Sequence, residues 1–130
     1  MYTVGQAFTA TRLLTQDDFD RFAALSGDDN PIHVDPAFAA RTRFGKTVSH
    51  GMLLYGLACG ALDAYFPDAA QLEQDLMFPN PARVGEQVIV QLKVIQVEEQ
   101  ERRARVETIL SRTDGQIVCQ GQTLLQWHPV

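Results

Sequence analysis

Val88, Val90, Leu92 and Val94 alternate with Gln87, Gln91 and Lys93, the period of two of a half-buried strand. A second run from Arg102 to Arg112 puts Ala104, Val106, Thr108 and Leu110 on one face and Arg103, Arg105 and Glu107 on the other. Thr113-Asp114-Gly115-Gln116 carries the Asp-Gly signal of a tight hairpin, and Ile117 to Trp127 returns as the last strand. A short strand over Thr3 to Ala10 and another before Asn80 complete the expected β elements. The first half of the chain follows a helical period instead. Thr15 opens a helix, with Asp18 as an acidic variant of the capping box. Phe19, Phe22 and Ala23 supply its core stripe, and Gly27 stops it. Asp28 to Pro31 then reads as a loop. Asp35-Pro36 opens a second short helix, Asp35 as N-cap and Pro36 at its first position.

Ser49 to Tyr65 is apolar almost all the way round, through Met52, Leu53, Leu54, Tyr55, Leu57, Ala58, Ala61 and Leu62. A helix without a polar face has to be wrapped by other structure. Gly51, Gly56 and Gly60 lower helix propensity, so close backbone packing is expected around them. Together these patterns predict an α+β architecture, an antiparallel sheet curved around one central helix.

Composition narrows the picture. The chain has 130 residues, 45% hydrophobic and 21% charged, as expected of one globular domain over 1–130. Eleven Lys and Arg against sixteen Asp and Glu give a formal charge of −5, which argues against nucleic acid and anionic membrane surfaces as partners. The apolar stretch from Gly51 to Phe66 is shorter than the roughly 20 residues of a membrane span and contains Asp63. Met1 to Gly5 shows no basic start followed by an apolar run, so no signal peptide is expected. Cys59 and Cys119 stand far apart in apolar sequence and read as two buried thiols of a reduced, cytoplasmic protein. No His, Asp or Glu cluster has ligand spacing, so no metal is expected.

The chemistry concentrates in Asp28-Asp29-Asn30-Pro31-Ile32-His33. Pro31 fixes its own φ and pushes Asn30 toward an extended conformation, so that Asp28 and His33 converge across the turn. A carboxylate beside an imidazole is a proton-transfer unit, because imidazole titrates near neutrality and the carboxylate orients it or holds a water. By residue type alone, the same string is equally a turn with a structural histidine. A second feature is Thr47-Val48-Ser49-His50-Gly51-Met52, which brings polar residues and a glycine to the start of the apolar helix. Helix N-termini present unpaired N–H groups suited to a carbonyl or an anion, and Gly51 leaves room for close approach. The plainer alternative is that Ser49 caps the helix and His50 faces solvent.

The stretch from Phe22 through Ser26-Gly27-Asp28-Asp29-Asn30-Pro31-Ile32-His33 to Val34-Asp35-Pro36 resembles the hydratase motif of the MaoC-like, (R)-specific enoyl-CoA hydratases. His50-Gly51-Met52 resembles that family's helix start, and Phe78 with Pro81-Ala82-Arg83-Val84-Gly85-Glu86 its strand entry. The resemblance implies the hot-dog fold, a curved antiparallel sheet around one long helix, paired into homodimers. It implies that Asp28 and His33 activate one water for syn addition to a trans-2-enoyl thioester and that Asn30 helps position that water. The Gly51 N–H would polarise the thioester carbonyl, with Ser49 and His50 also on the substrate side. It implies no cofactor beyond the substrate's own coenzyme A or acyl-carrier-protein arm.

The expected activity is therefore that of a hydro-lyase. Two other readings belong to the same fold: a thioesterase, and a non-catalytic acyl-thioester-binding protein. The intact Asp28, Asn30 and His33 favour hydration over both. Arg41, Arg43 and Lys46 form a local basic cluster before the apolar helix. It is either a solvated loop or a contact for the phosphates of the thioester carrier.

Overall fold

The computed structural model describes residues 2–128; Met1, Pro129 and Val130 of the expected 1–130 domain lie outside the described residues. The chain runs β1 (Ala7–Leu13), α1 (Gln16–Ser26), α2 (Pro31–Val34), α3 (Pro36–Ala40), α4 (Gly51–Tyr65), β2 (Ala69–Gln74), β3 (Gln87–Glu98), β4 (Arg103–Arg112) and β5 (Ile117–Trp127). The strands form one sheet in the order β1-β3-β4-β5-β2, every neighbouring pair antiparallel. Helix α4 packs against β3, β4 and β5, giving the hot-dog arrangement.

The alternation in the sequence sets which strand face meets the helix. Val88, Val90, Leu92 and Val94 of β3 and Ala104, Val106, Thr108 and Leu110 of β4 are buried. They join Leu54, Ala58, Ala61 and Leu62 of α4, with Leu14, Phe19, Val118 and Leu125, in the core. Burying a side chain the size of Leu62, 1% exposed, contributes roughly 2 kcal/mol. Helix α1 carries the expected capping box: Thr15 accepts from the Asp18 N–H, and the Asp18 side chain accepts from the Thr15 N–H. Gly27 ends α1 in the left-handed region at φ 80°. The Asp114-Gly115 hairpin forms as read, with Gly115 at φ 87°.

Three expectations are corrected. The first strand begins at Ala7 rather than Thr3, because the chain turns at Gly5, where φ is 92°. It then follows β3 in register from Ala7 opposite Lys93 to Leu13 opposite Gln87. The loop read over Asp28 to Pro31 stops at Asn30, because Pro31–Val34 forms a short helix that Asn30 caps by accepting from the Ile32 N–H. Helix α4 is also not enclosed within this chain: Met52, Gly56, Gly60 and Asp63 are exposed. A Cβ built on Gly56 or Gly60 would meet nothing within 4 Å, so the close packing expected there is absent among the described residues.

Cys119 is buried, and burial pushes its thiol up to about 11. Cys59 is only half-buried, against the expectation of two buried thiols. Its Sγ and the Tyr55 hydroxyl both face Gln71 Oε1, at 3.8 and 3.1 Å. No helix among the described residues is long and apolar enough to cross a membrane.

One glycine is required sterically. Gly121 of β5 lies under the Asp75 carbonyl, on which an added Cβ would fall. Gly121→Ala should therefore lower stability by about 1–3 kcal/mol, the usual scale of forced overpacking. Urea unfolding reads this directly. A midpoint equal to that of the parent would mean that the segment after β2 shifts aside freely.

Candidate active site

Two local structures bring the site together. The first is the turn after α1. The Asp28 N–H bonds to Ser26 Oγ at 3.1 Å, and the Asn30 N–H points at Asp28 Oδ1 at 3.5 Å. This engages one carboxylate oxygen within the loop and leaves Oδ2 facing His33 Nε2 at 3.7 Å. The Asp28 side chain is 56% exposed and His33 10%, so the pair has one wet partner and one fixed partner. Among the two adjacent aspartates, the carboxylate within reach of His33 is that of Asp28.

The second is the extended segment ahead of α4. The Val48 N–H bonds to the Ile32 carbonyl at 3.0 Å and the Ser49 N–H to the Ala82 carbonyl at 2.8 Å. His33 Nδ1 lies 2.7 Å from the Val48 carbonyl. A carbonyl only accepts, so Nδ1 carries a proton and donates it, and Nε2 is the ring nitrogen turned toward Asp28. The 3.7 Å gap is too long for a direct hydrogen bond and short enough for both atoms to hold one water.

His50 does not face solvent; it is 2% exposed. Its ring stacks on His33 with centroids 3.8 Å apart and packs against Phe22 at 4.7 Å. Its Nε2 donates to the Asp28 carbonyl at 2.8 Å. Burial, followed by the neighbouring His33, holds its pKa below the ordinary histidine range despite the opposing pull of Asp28. Ser49 does not cap α4: its hydroxyl donates to the His50 carbonyl at 3.0 Å, and the cap position is His50, without a side-chain cap bond. The first N–H groups of α4, Gly51 foremost, are thus left without a capping side chain beside a cavity of about 250 Å3. Ser49, Leu54, Phe78, Pro81 and Val118 line that cavity, with Arg43 at its rim. A larger cleft, about 420 Å3, is lined by Tyr65 and Phe66 at the other end of α4 and has none of these groups.

One functional position escaped the sequence reading. Gln16 donates to the His33 carbonyl at 2.9 Å and accepts from the Thr47 hydroxyl at 2.6 Å. It clamps the helix bearing His33 to the segment leading into α4, a pairing across 31 residues that no local pattern announces. Asn30 is placed as the α2 cap, with Oδ1 3.1 Å from the Ile32 N–H, which leaves its amide NH2 as the group turned to other partners. In the basic cluster, Arg43 lies over the Phe44 ring and Arg41 over Phe38.

The fold also gathers Asp28, His33 and His50 so that a ligand-type atom of each lies within 4.8 Å of the others, a cluster that sequence spacing did not reveal. Its donor set is poor for a cation. His33 Nδ1 and His50 Nε2 are each engaged with a backbone carbonyl. The rings stack at 24°, so the remaining in-plane lone pairs run side by side rather than to one point.

Residues 3–116 match the family described as MaoC like domain. The chain is 34% identical over 125 residues to an (R)-specific enoyl-CoA hydratase of Aeromonas caviae, covering 95% of this chain and 93% of that protein. It is also 34% identical to a 3-hydroxybutyryl-CoA dehydratase of Methylorubrum extorquens, over 95% of this chain and 79% of that one. The unliganded R-hydratase of Pseudomonas aeruginosa superposes with a TM-score of 0.94 at 32% identity, over 99% of this chain and 84% of that one.

Gly51 needs a more careful test than its position suggests. A Cβ there would meet the Phe78 ring at 3.1 Å, so Gly51→Ala probes packing as well as any contact with substrate. Phe78 is 42% exposed and its ring has room to give. Gly51→Ala should lose turnover with KM also raised, and Gly51→Ala combined with Phe78→Leu should recover melting temperature without recovering turnover. Full recovery of both would assign Gly51 to packing alone.

Proposed function

The chain belongs to the MaoC-like domain family, and we propose that it is a hydro-lyase acting on enoyl thioesters, adding water reversibly to a trans-2-enoyl thioester to give the (R)-3-hydroxyacyl product. The observation that carries this reading is a histidine with its Nδ1 held by a backbone carbonyl and its Nε2 3.7 Å from a carboxylate, close enough for one water to bond to both, next to an uncapped helix N-terminus. One water bridges Asp28 Oδ2 and His33 Nε2. His33 takes a proton from it as the oxygen bonds to C3, and the electrons of the C2–C3 double bond move onto the thioester oxygen. The Gly51 N–H meets that developing charge, and a preorganised donor there lowers the barrier. The proton then passes from His33 to C2 on the same face, so both parts of the water add syn. Asp28 stabilises the imidazolium meanwhile, and the Asn30 NH2 steadies the water. Ser49, at the wall of the cavity, lies on the substrate side.

No cofactor or metal enters this scheme beyond the carrier arm of the substrate, coenzyme A or acyl-carrier protein, for whose phosphates Arg43 is the nearest cation to the cavity. The working unit is a homodimer. Strand β2 is a sheet edge, and Leu72 on it and Met77 and Phe78 in the segment after it are 46%, 57% and 42% exposed. Such an edge invites pairing unless covered. The charge and the absence of a spanning helix among the described residues suit a cytoplasmic protein without membrane or nucleic-acid partners.

Mixing with crotonyl-CoA should remove the enoyl absorbance while a parallel free-thiol assay stays silent; thiol release instead would identify a thioesterase, and neither signal a binding protein. Asp28→Asn and His33→Ala should each slow hydration by about a hundredfold or more, Asp29→Asn should retain most activity, and a chelator should change nothing. Full activity in folded Asp28→Asn and His33→Ala would remove the mechanism. In sedimentation the mass should be about twice 14.5 kDa; a single-chain mass at micromolar concentration would exclude the dimer.

A further inference from the structure

The loop that carries Asp28 is held mainly by itself. The Gly27 N–H bonds back to Ala23, the Asp29 N–H to Gly27, and the Asp28 and Asn30 N–H groups to Ser26 and Asp28 side chains. All of these partners lie within four residues. Among the described residues, the one hydrogen bond from Asp28 to a distant part of the chain comes from His50 Nε2, 22 positions away, to the Asp28 carbonyl at 2.8 Å. The same ring lies flat against His33 at 3.8 Å. His50 therefore touches both members of the acid–base pair and faces away from solvent, 2% exposed.

Its chemistry is odd for a packing residue. With Nε2–H donating to a carbonyl, Nδ1 is a bare acceptor, and it is buried without a partner. A buried orphan acceptor costs stability that a phenyl ring of similar shape would not. Packing against Phe22 and His33 alone would favour the phenyl ring. What the phenyl ring lacks is the donor toward Asp28.

We infer that His50 is a positioning residue, which fixes the distance from the Asp28 carboxylate to His33 by tethering the Asp28 backbone and bracing the His33 ring. This deepens the hydratase reading above and rests on it. Burial lowers the His50 pKa, which disfavours a second positive charge beside the proton that His33 takes up. The direct consequence lies in turnover rather than affinity. The tether acts on the geometry of the pair, and losing about an ångström of alignment there is enough to slow a step on the order of a hundredfold.

Three variants separate the donor from the ring. In His50→Gln the amide nitrogen reaches the place of Nε2–H; His50→Phe keeps a ring and removes the donor; His50→Asn keeps an amide too short to reach Asp28. Steady-state hydration of crotonyl-CoA is measured for each, per folded molecule by circular dichroism, beside Asp28→Asn. We expect His50→Phe and His50→Asn to lose on the order of tenfold to a hundredfold in kcat with KM little changed, and His50→Gln to stay within a few fold of the parent. If the Phe variant does not fold, the Asn variant carries the comparison. Parental kcat in the folded donor-deficient variants, or a Gln variant as slow as they are, overturns the inference. With Asp28→Asn inactive, that result removes the role of His50 alone. An active Asp28→Asn removes the Asp28–His33 acid–base assignment on which it stands, and a parent that does not hydrate crotonyl-CoA removes the hydratase reading itself.

Discussion

A fifteen-residue helix with almost no polar side chain has to be taken out of water, and much of the remaining structure follows from how that is done. Strands β3, β4 and β5 lie against it because their alternating apolar positions all point one way. A helix buried along one side still has N-terminal N–H groups that need partners. Here no side chain among the described residues supplies one. The burial of α4 thus leaves a polarising helix end at the margin of the core, beside a cavity, and the site is built around that end.

What fixes the rest of the site relative to it is a short extended segment. Residues Thr47 to Ser49 bond on one side to the Ile32 carbonyl and on the other to the Ala82–Val84 loop, and Val48 bridges Arg83 as an isolated β pair. The segment feeds directly into α4. Its Val48 carbonyl also sets the His33 tautomer, while Thr47 is joined through Gln16 to the backbone of His33. Helix end, base and loop are therefore referred to one piece of backbone, as a site accurate to a fraction of an ångström requires.

The elements that sequence made legible are those with a local cause. Capping of α1 by Thr15 and Asp18, its end at Gly27 and the faces of β3 and β4 each depend on residues within one or two turns or pleats. The Asp28–His33 convergence was also legible, since Pro31 and a five-residue separation leave little freedom. What could not be read depends on distant partners. His50 looks like a solvent-facing polar residue until Phe22 and His33 are packed against it. Ser49 looks like a cap until the helix is seen to start two residues later. Gly56 and Gly60 look like contact points, yet a Cβ on either would meet nothing within 4 Å among the described residues.

The direction of the Nδ1 bond has a consequence for stereochemistry. A histidine free to flip would offer either nitrogen to the water, from two positions relative to the bound thioester. The 2.7 Å bond to Val48 removes that freedom, because flipping the ring would set the Cδ2 carbon in place of the Nδ1 donor against the carbonyl oxygen. In the proposed mechanism only Nε2 then takes the proton, and only Nε2 can give it back. A proton removed and returned by one fixed atom reaches C2 from the side on which the oxygen reached C3. In this arrangement syn addition follows from a single backbone carbonyl, and that carbonyl is held in place by the entry of the buried helix.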